Sequence, residues 1–418
     1  MNPPRVVVIG TGFGGLESAF YLRKRLGENA QITLVGERAQ FEFRPNTIYI
    51  PFGKPPEAFS FPLGRALERR SIPFVAARIS EVDTVNKVIR GSGAEVPYDY
   101  LVIATGAKMR PAEIPGLSEH ALGIWSPEEM LRLRAAYESI VAKAGFGVRS
   151  RVVFLVPQNN KWSGPLYEMA LMLDTWLRRR AARDTIDLSL VTHEGAFIQS
   201  FGPRVDAVVA EEFKERNIHS RKGARVERID KGSLALADGE VECFDLLVTL
   251  PPYVASTRFT GLPSDERGFI PTQPVSRQVE GHPDVYVVGD AGDFPVKQAF
   301  LALQQADVAS EHLAQRIFGE PTTAAFDPVS MCIVEQLDKA TFAQVPLELT
   351  HDARRPVSVR EDQTDVYRVG TGVVWRMAKK LLGTAIPQRF THGLPFHAGP
   401  AWTAMEAGVK VMAAAFSD

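Results

Sequence analysis

The sequence predicts an α/β protein in which parallel strands alternate with helices, and three stretches carry that reading. Arg5-Val6-Val7-Val8-Ile9 runs straight into Gly10-Thr11-Gly12-Phe13-Gly14-Gly15, followed by a helix-like segment and then Ile32-Thr33-Leu34-Val35. A second apolar strand beginning near Tyr98 ends in Ala104-Thr105-Gly106. A third, from Pro283, ends in Gly289-Asp290 ahead of another helix-like segment.

The first stretch has the strand, glycine turn, helix and strand of a dinucleotide-binding unit. Gly10 allows the tight turn, Gly12 lets backbone approach a pyrophosphate, and Gly15 lets the helix pack close to the sheet, which leaves phosphates at a helix N-terminus. The turn says that a dinucleotide binds, not which one. Gly36 fills the slot directly after Val35 where a ribose-binding carboxylate is expected, and Glu37 follows, next to Arg38. Glu37 either reaches the adenosine ribose or is a solvated charge at a strand end. In the second stretch, small residues let backbone come close to a ligand. In the third, Asp290 is expected to face a hydroxyl-bearing ligand from a helix N-terminus.

A further unit opens at Arg151-Val152-Val153-Phe154-Leu155-Val156, but Pro157-Gln158-Asn159-Asn160-Lys161-Trp162-Ser163-Gly164-Pro165 follows, with no GxGxxG. Pro157 and Trp162 stand where a nicotinamide dinucleotide needs bare, donating backbone. The partner strand ends in Thr192-His193-Glu194, an acidic group poorly placed for a ribose. The fold is expected to persist there while NAD(P)H binding is lost or weak.

Bulk composition narrows the function classes. The chain has 418 residues, 45% hydrophobic and 23% charged, enough for two or three domains. A formal net charge of -1 argues against a nucleic-acid binder. The two cysteines, Cys243 and Cys332, cannot build a disulfide framework, and no charged-then-apolar leader precedes the first strand, so a cytoplasmic location is expected. No apolar run approaches the roughly 20 residues of a spanning helix, which leaves a peripheral contact with the inner face of a membrane as the membrane option. No metal is expected: the histidines lack ligand spacing, and His392 and His397 flank Gly393-Leu394-Pro395-Phe396 in what reads as a surface loop.

The glycine turn, the Ala104-Thr105-Gly106 strand and the Gly289-Asp290 strand, in this order, resemble the flavoproteins with two dinucleotide-binding domains, over roughly residues 5–345. Phe41-Glu42-Phe43-Arg44-Pro45, Asp245-Leu246-Leu247-Val248 leading to Pro251-Pro252, and Pro295-Val296-Lys297 are similar to the sulfide:quinone oxidoreductase and flavocytochrome c sulfide dehydrogenase branch. The resemblance implies FAD, held by Gly10, Gly12, Phe13, Gly14, Gly15, Glu37, Arg38, Pro45, Ala104, Thr105, Gly106, Gly289, Asp290 and Lys297. It puts Lys297 near the pyrimidine edge of the flavin, where a cation stabilises charge that builds on reduction; by itself Lys297 also reads as an exposed loop lysine.

In that branch two cysteines work over the flavin face. Here Trp162 stands at the first cysteine's position and Cys332 at the second, so the implied substrate pocket holds Trp162 and Cys332 and no intramolecular disulfide. Cys332 then acts as a single catalytic thiol or is simply buried, and Cys243 reads as a small buried hydrophobe. Glu168, four residues after Gly164, has the spacing of a glutamate that relays protons to quinone in related NADH:quinone enzymes; it reads equally as a first-turn glutamate favoured by the helix dipole.

The implied architecture is an FAD-binding Rossmann-like domain at about residues 1–145 and 245–325, a second Rossmann-like domain inserted at 146–244, and a C-terminal α+β region at 326–418. Within that region Thr371 to Leu382 mixes cations, Trp375 and aliphatic residues as a membrane-surface helix does, and Met405, Val409, Met412 and Phe416 recur at helical spacing. The pattern equally fits helices packed on the protein or on a second subunit of a homodimer. The expected activity is that of an FAD-dependent oxidoreductase passing two electrons from a small donor to a quinone or other acceptor; the resemblance suggests a sulfur compound as donor, and the missing first cysteine weakens that link. The alternatives are a type II NADH:quinone oxidoreductase-like enzyme and a non-catalytic FAD-binding sensor or assembly protein.

Overall fold

Val, Ile and Leu runs buried on both faces produce two parallel sheets. The computed structural model describes residues 2–350, 352 and 355–417. In the first sheet the strands lie in the order Gln278–Val279, His282–Val287, Tyr100–Ile103, Arg5–Ile9, Gln31–Gly36 and Phe74–Ala76. All neighbours are parallel except the short edge strand Gln278–Val279. Val7 pairs with Thr33 on one side and Leu101 on the other, so successive chain segments depart to opposite sides of the central strand. Loops leaving Ile9 and Ile103 therefore diverge and open a crevice at the carboxyl edge of the sheet. The helix Phe13–Leu26 returns along one face, where Leu16, Ala19 and Phe20 share a core with Leu303, Ala306 and Leu313 of the helix Ala299–Phe318.

The second sheet reaches further than the expected 146–244. Its order is Leu122–Gly123, Leu246–Thr249, Ser150–Val156, Ile186–Thr192 and Ile218–Arg221, all parallel. Met130, Leu133, Tyr137 and Ile140 of the helix Pro127–Gly145 pack in one core with Val152 and Phe154 of this sheet. The unit thus gains an edge strand, Leu122–Gly123, and the strand next to it, Leu246–Thr249, from segments expected in the first domain. An apolar strand buried on both faces reads alike whichever sheet receives it, so its pairing is not visible locally.

The C-terminal region is α+β. Val329–Glu335 pairs antiparallel with Ala340–Leu349, which also pairs with Val357–Val359 and Arg368–Gly372. The helices Val373–Thr391 and Pro400–Phe416 follow. Val409 and Met412 pack with Ile333, Phe342 and Trp375, so one face of the last helix closes on the protein itself. On the preceding helix Val373, Met377 and Leu381, spaced by four, remain exposed. Among the described residues no helix is long and apolar enough to cross a membrane.

Candidate cofactor and catalytic site

One cavity of about 860 Å³ runs from the crevice of the first sheet to the C-terminal helices. At its entrance Gly10 has φ +118, and a Cβ there would lie 2.3 Å from the Ala104 carbonyl oxygen. A Cβ on Gly15 would lie 2.0 Å from the Gly10 carbonyl oxygen, so the helix sits against its own turn. A Cβ on Gly12 would meet nothing within 4 Å, because this residue faces open space at the cavity wall. No acidic residue occupies the first turn of the helix Phe13–Leu26. Bare backbone, free N–H groups and a positive helix end form a cradle for a diphosphate.

The remaining residues expected to bind the cofactor collect around the same space. Phe13, Gly14, Glu37, Arg38, Pro45, Ala104, Thr105, Gly106, Gly289, Asp290 and Lys297 all line it; Gly15 does not, and packs behind the turn. Among the described residues the buried Thr105 hydroxyl has no hydrogen-bond partner, which leaves a donor and acceptor at the cavity wall. Glu37 is 70% exposed and 3.9 Å from Arg78 at the rim. Asp290 sits in a single 3-10 turn, Gly289–Ala291, and not at the start of a long helix, since Ala299 begins the next one. Burial raises the Asp290 carboxyl pKa, with Lys297 and Arg44 opposing.

Lys297 is no exposed loop lysine. It is 3% exposed, its Nζ donates to the Gly292 carbonyl oxygen and lies 3.9 Å from the Phe269 ring centroid. Burial lowers its pKa to about 7, with Asp290 and Asp293 opposing. A cation so poorly solvated gains strongly when negative charge appears beside it.

At the far end Glu168, Cys332, Trp162 and Lys379 meet the same cavity. Glu168, in the first turns of the helix Gly164–Arg179, is buried; its Oε1 accepts from the Lys379 ammonium and, at 2.5 Å, from the Glu335 backbone N–H. Lys379 also donates to the Ile333 carbonyl oxygen at 2.8 Å. Burial raises the Glu168 pKa, and Lys379 only partly opposes it. Cys332 is half-buried on the strand Val329–Glu335, and burial, helped by the Glu168 carboxylate, pushes its thiol up to about 12. Trp162 both lines the cavity and packs on Phe201 at 5.0 Å between ring centroids.

Sequence reasoning missed Lys379, which lines the cavity, and Arg376, Glu335 and Tyr49, which pack behind it. The segment Thr371 to Leu382 reads as a membrane-surface helix or as one packed on the protein; Arg376 and Lys379, three apart, point inward while Val373 and Met377 point out. That one-sided spacing was the available signal.

Two expectations fail elsewhere. His397 is not in a surface loop: its Nδ1 lies 2.5 Å from Asp307 Oδ2, and Glu17 accepts from the Phe396 and His397 backbone at 2.6 and 3.0 Å. The three side chains bring ligand atoms within 4.8 Å of one another, a polar staple between the glycine-turn helix and the C-terminal loop. His392 is exposed, as a loop residue would be. Cys243 is exposed on the short edge strand Val241–Cys243, because that sheet sends Val226, Ile229, Leu234 and Leu236 from its other two strands into the core.

The second glycine-poor turn is closed. Asn160 Oδ1 accepts from the Trp162 N–H at 2.9 Å, and the Gln158 and Asn160 amides donate to the Val226 and Leu250 carbonyls at 2.8 Å. Glu194 accepts from the Ser163, Tyr167 and Thr192 hydroxyls and the Gln199 N–H at 2.9 to 3.1 Å. Phe197 and Phe201 fill the adjoining space.

Comparison with known proteins places this geometry. The pattern of the pyridine nucleotide-disulphide oxidoreductase family matches residues 4–141 and 168–312. The chain belongs to that family. Its members bind FAD, and the chain is accordingly an FAD-dependent oxidoreductase. It is 31% identical over 239 residues to a sulfide-quinone reductase of Aquifex aeolicus, a match covering 56% of this chain and 54% of that protein. It is 23% identical over 350 residues to a mitochondrial sulfide:quinone oxidoreductase of Dictyostelium discoideum, covering 79% of this chain and 75% of that one. A type II NADH:quinone oxidoreductase of Mycobacterium tuberculosis, NdhA, is 24% identical over 312 residues, 68% of this chain and 66% of that one. The solved Aquifex aeolicus sulfide:quinone oxidoreductase shares the fold with a TM-score of 0.82 at 21% identity, over 97% of this chain and 96% of that one.

Proposed function

We propose that this flavoprotein takes two electrons from a small reductant of the sulfide class and delivers them to a quinone. The observation that carries the reading is the single cavity that joins the diphosphate cradle to a buried carboxylate and ammonium pair, Glu168 and Lys379, beside Cys332. FAD, when bound there, supplies the relay between a two-electron donor and the acceptor. Gly10, Gly12 and Gly14 would hold its diphosphate, Thr105 and Asp290 its hydroxyl-bearing parts, and Lys297 would offer charge to the reduced ring. Glu168 spends both of its hydrogen bonds on Oε1, which leaves Oε2 to hold and release a proton.

Three features support this donor and acceptor over the NADH-dependent alternative. The second turn offers a nicotinamide dinucleotide no bare backbone and no free carboxylate. The relatives first matched act on sulfide and quinone by name. The exposed Val373, Met377 and Leu381 stripe beside Lys379 suits a helix resting on a membrane surface or a second subunit, where a lipid-soluble quinone enters.

A stopped-flow screen tests it. The oxidised holoprotein is expected to bleach with sulfide and not with NADH, and to recover on mixing with a short-chain quinone. Rapid bleaching by NADH, or none by any donor, would sink the proposal. A thiol pushed up to about 12 is a poor nucleophile. Iodoacetamide at pH 8 should therefore label exposed Cys243 well before Cys332 in the folded protein. Comparable labelling of both would restore Cys332 as a reactive thiol.

A further inference from the structure

Glu168 is tied to a second carboxylate and cation pair just behind it. Glu335, fully buried, accepts from Arg376 Nε at 2.8 Å and from the Tyr49 hydroxyl at 2.6 Å, and its backbone N–H is the one that reaches Glu168. Its Oε1 also accepts from the Leu337 and Gln336 N–H groups at 2.7 and 3.2 Å, which anchors the strand end on which it sits. Arg376 and Lys379 lie one helical turn apart, so the pair Glu335 and Arg376 fixes the turn that presents Lys379 to Glu168. The charged and titratable groups facing Glu168 are Lys379 from the helix, Glu335 and Cys332 from the strand, and Tyr49 from the turn Arg44–Tyr49; Arg376 reaches it through Glu335.

We propose that Glu335 and Arg376 are positioning residues that set, with opposite signs, the proton affinity of Glu168 during quinone reduction. The inference rests on the reading of Glu168 given above. Reducing a quinone to its quinol takes two electrons and two protons. One proton travels with the electron pair as a hydride equivalent; Glu168 Oε2 supplies the other and recovers it from water. Neutralising Glu335 removes a negative charge near Glu168 and leaves Arg376 unpaired, and both changes favour the Glu168 carboxylate. Neutralising Arg376 leaves a buried negative charge beside Glu168 and favours its acid form. A purely structural role would not give opposite signs.

The experiment uses photoreduced, anaerobic holoprotein mixed with a water-soluble short-chain quinone, following flavin reoxidation against pH. In the wild type the rate is expected to fall as pH rises through the Glu168 titration. Glu335→Gln should move that step down, and Arg376→Gln up, each by about one pH unit, while the double variant returns close to wild type. Arg376 is partly exposed and its glutamine replacement keeps an amide donor for Glu335, so this variant is the more able to fold where Glu335→Gln is damaged. A step that survives Glu168→Gln overturns the reading of Glu168 and this inference together. A step abolished by Glu168→Gln but unmoved, or moved the same way, by the two variants overturns this inference alone. If only the Arg376 variant is recovered, an unmoved or lowered step overturns it.

Discussion

The two Rossmann-like units share a strand plan and treat the turn after the first strand in opposite ways. In the first, Gly12 borders open space and Glu37 stands 70% exposed at a rim. In the second, Trp162 is seated on Phe201, its N–H is consumed by Asn160, and Glu194 accepts four hydrogen bonds from its own unit. The difference teaches that the acidic residue ending the second strand is not by itself a ribose ligand. What decides its role is whether the turn facing it leaves donors unspent.

Three measurements test the contrast. The largest effect is expected from Gly12→Ala. Its Cβ meets no protein atom, so the apoprotein should unfold at an unchanged temperature, whereas FAD retention should fall about 100-fold, near 3 kcal/mol. Flavin absorbance per chain after gel filtration reads it; stoichiometric FAD in the variant would show that the diphosphate does not approach here. Next come the two glutamates. Glu194→Ala strips partners from three hydroxyls and an N–H and should cost about 2–3 kcal/mol in urea unfolding, while Glu37→Ala stays within about 0.5 kcal/mol. Equal costs would erase the distinction drawn between the turns. The smallest expected response is to NADH: at millimolar concentration it should leave the melting temperature of the holoprotein unchanged, since a ligand without a site stabilises nothing. A rise that saturates with concentration would reopen the second unit as a binding site.

The coupling of the C-terminal helix to the cavity also separates the two ends of the site. At the cradle, selectivity comes from backbone left bare. At the other end it comes from side chains brought together from the helix Gly164–Arg179, the strand Val329–Glu335 and the helix Val373–Thr391. Glu168 was visible in the sequence as a candidate because its spacing from Gly164 is local. Its partner Lys379 lies 211 residues away, and nothing local to either residue announces the pairing.

Legible in the residues alone were the family, the glycine turn after the first strand and the lack of a GxGxxG after Val156. These rest on neighbours within a few residues: Gly10, Gly12 and Gly15 around one turn, Ala104-Thr105-Gly106 at one strand end, Pro157 to Trp162 at another. Backbone conformation there is a short-range property, so residue type alone exposes it. Only the tertiary structure decided that Leu246–Thr249 completes the second sheet, that His397 is drawn in by Asp307 and Glu17, that Cys243 is exposed, and that Lys297 is buried over Phe269. Each of those outcomes depends on long-range pairing, which fixes solvation, and solvation sets the charge a side chain can carry. For that reason the glycine turn is legible in the sequence, while the pairing of Glu168 with Lys379 emerges only when three distant elements close around it.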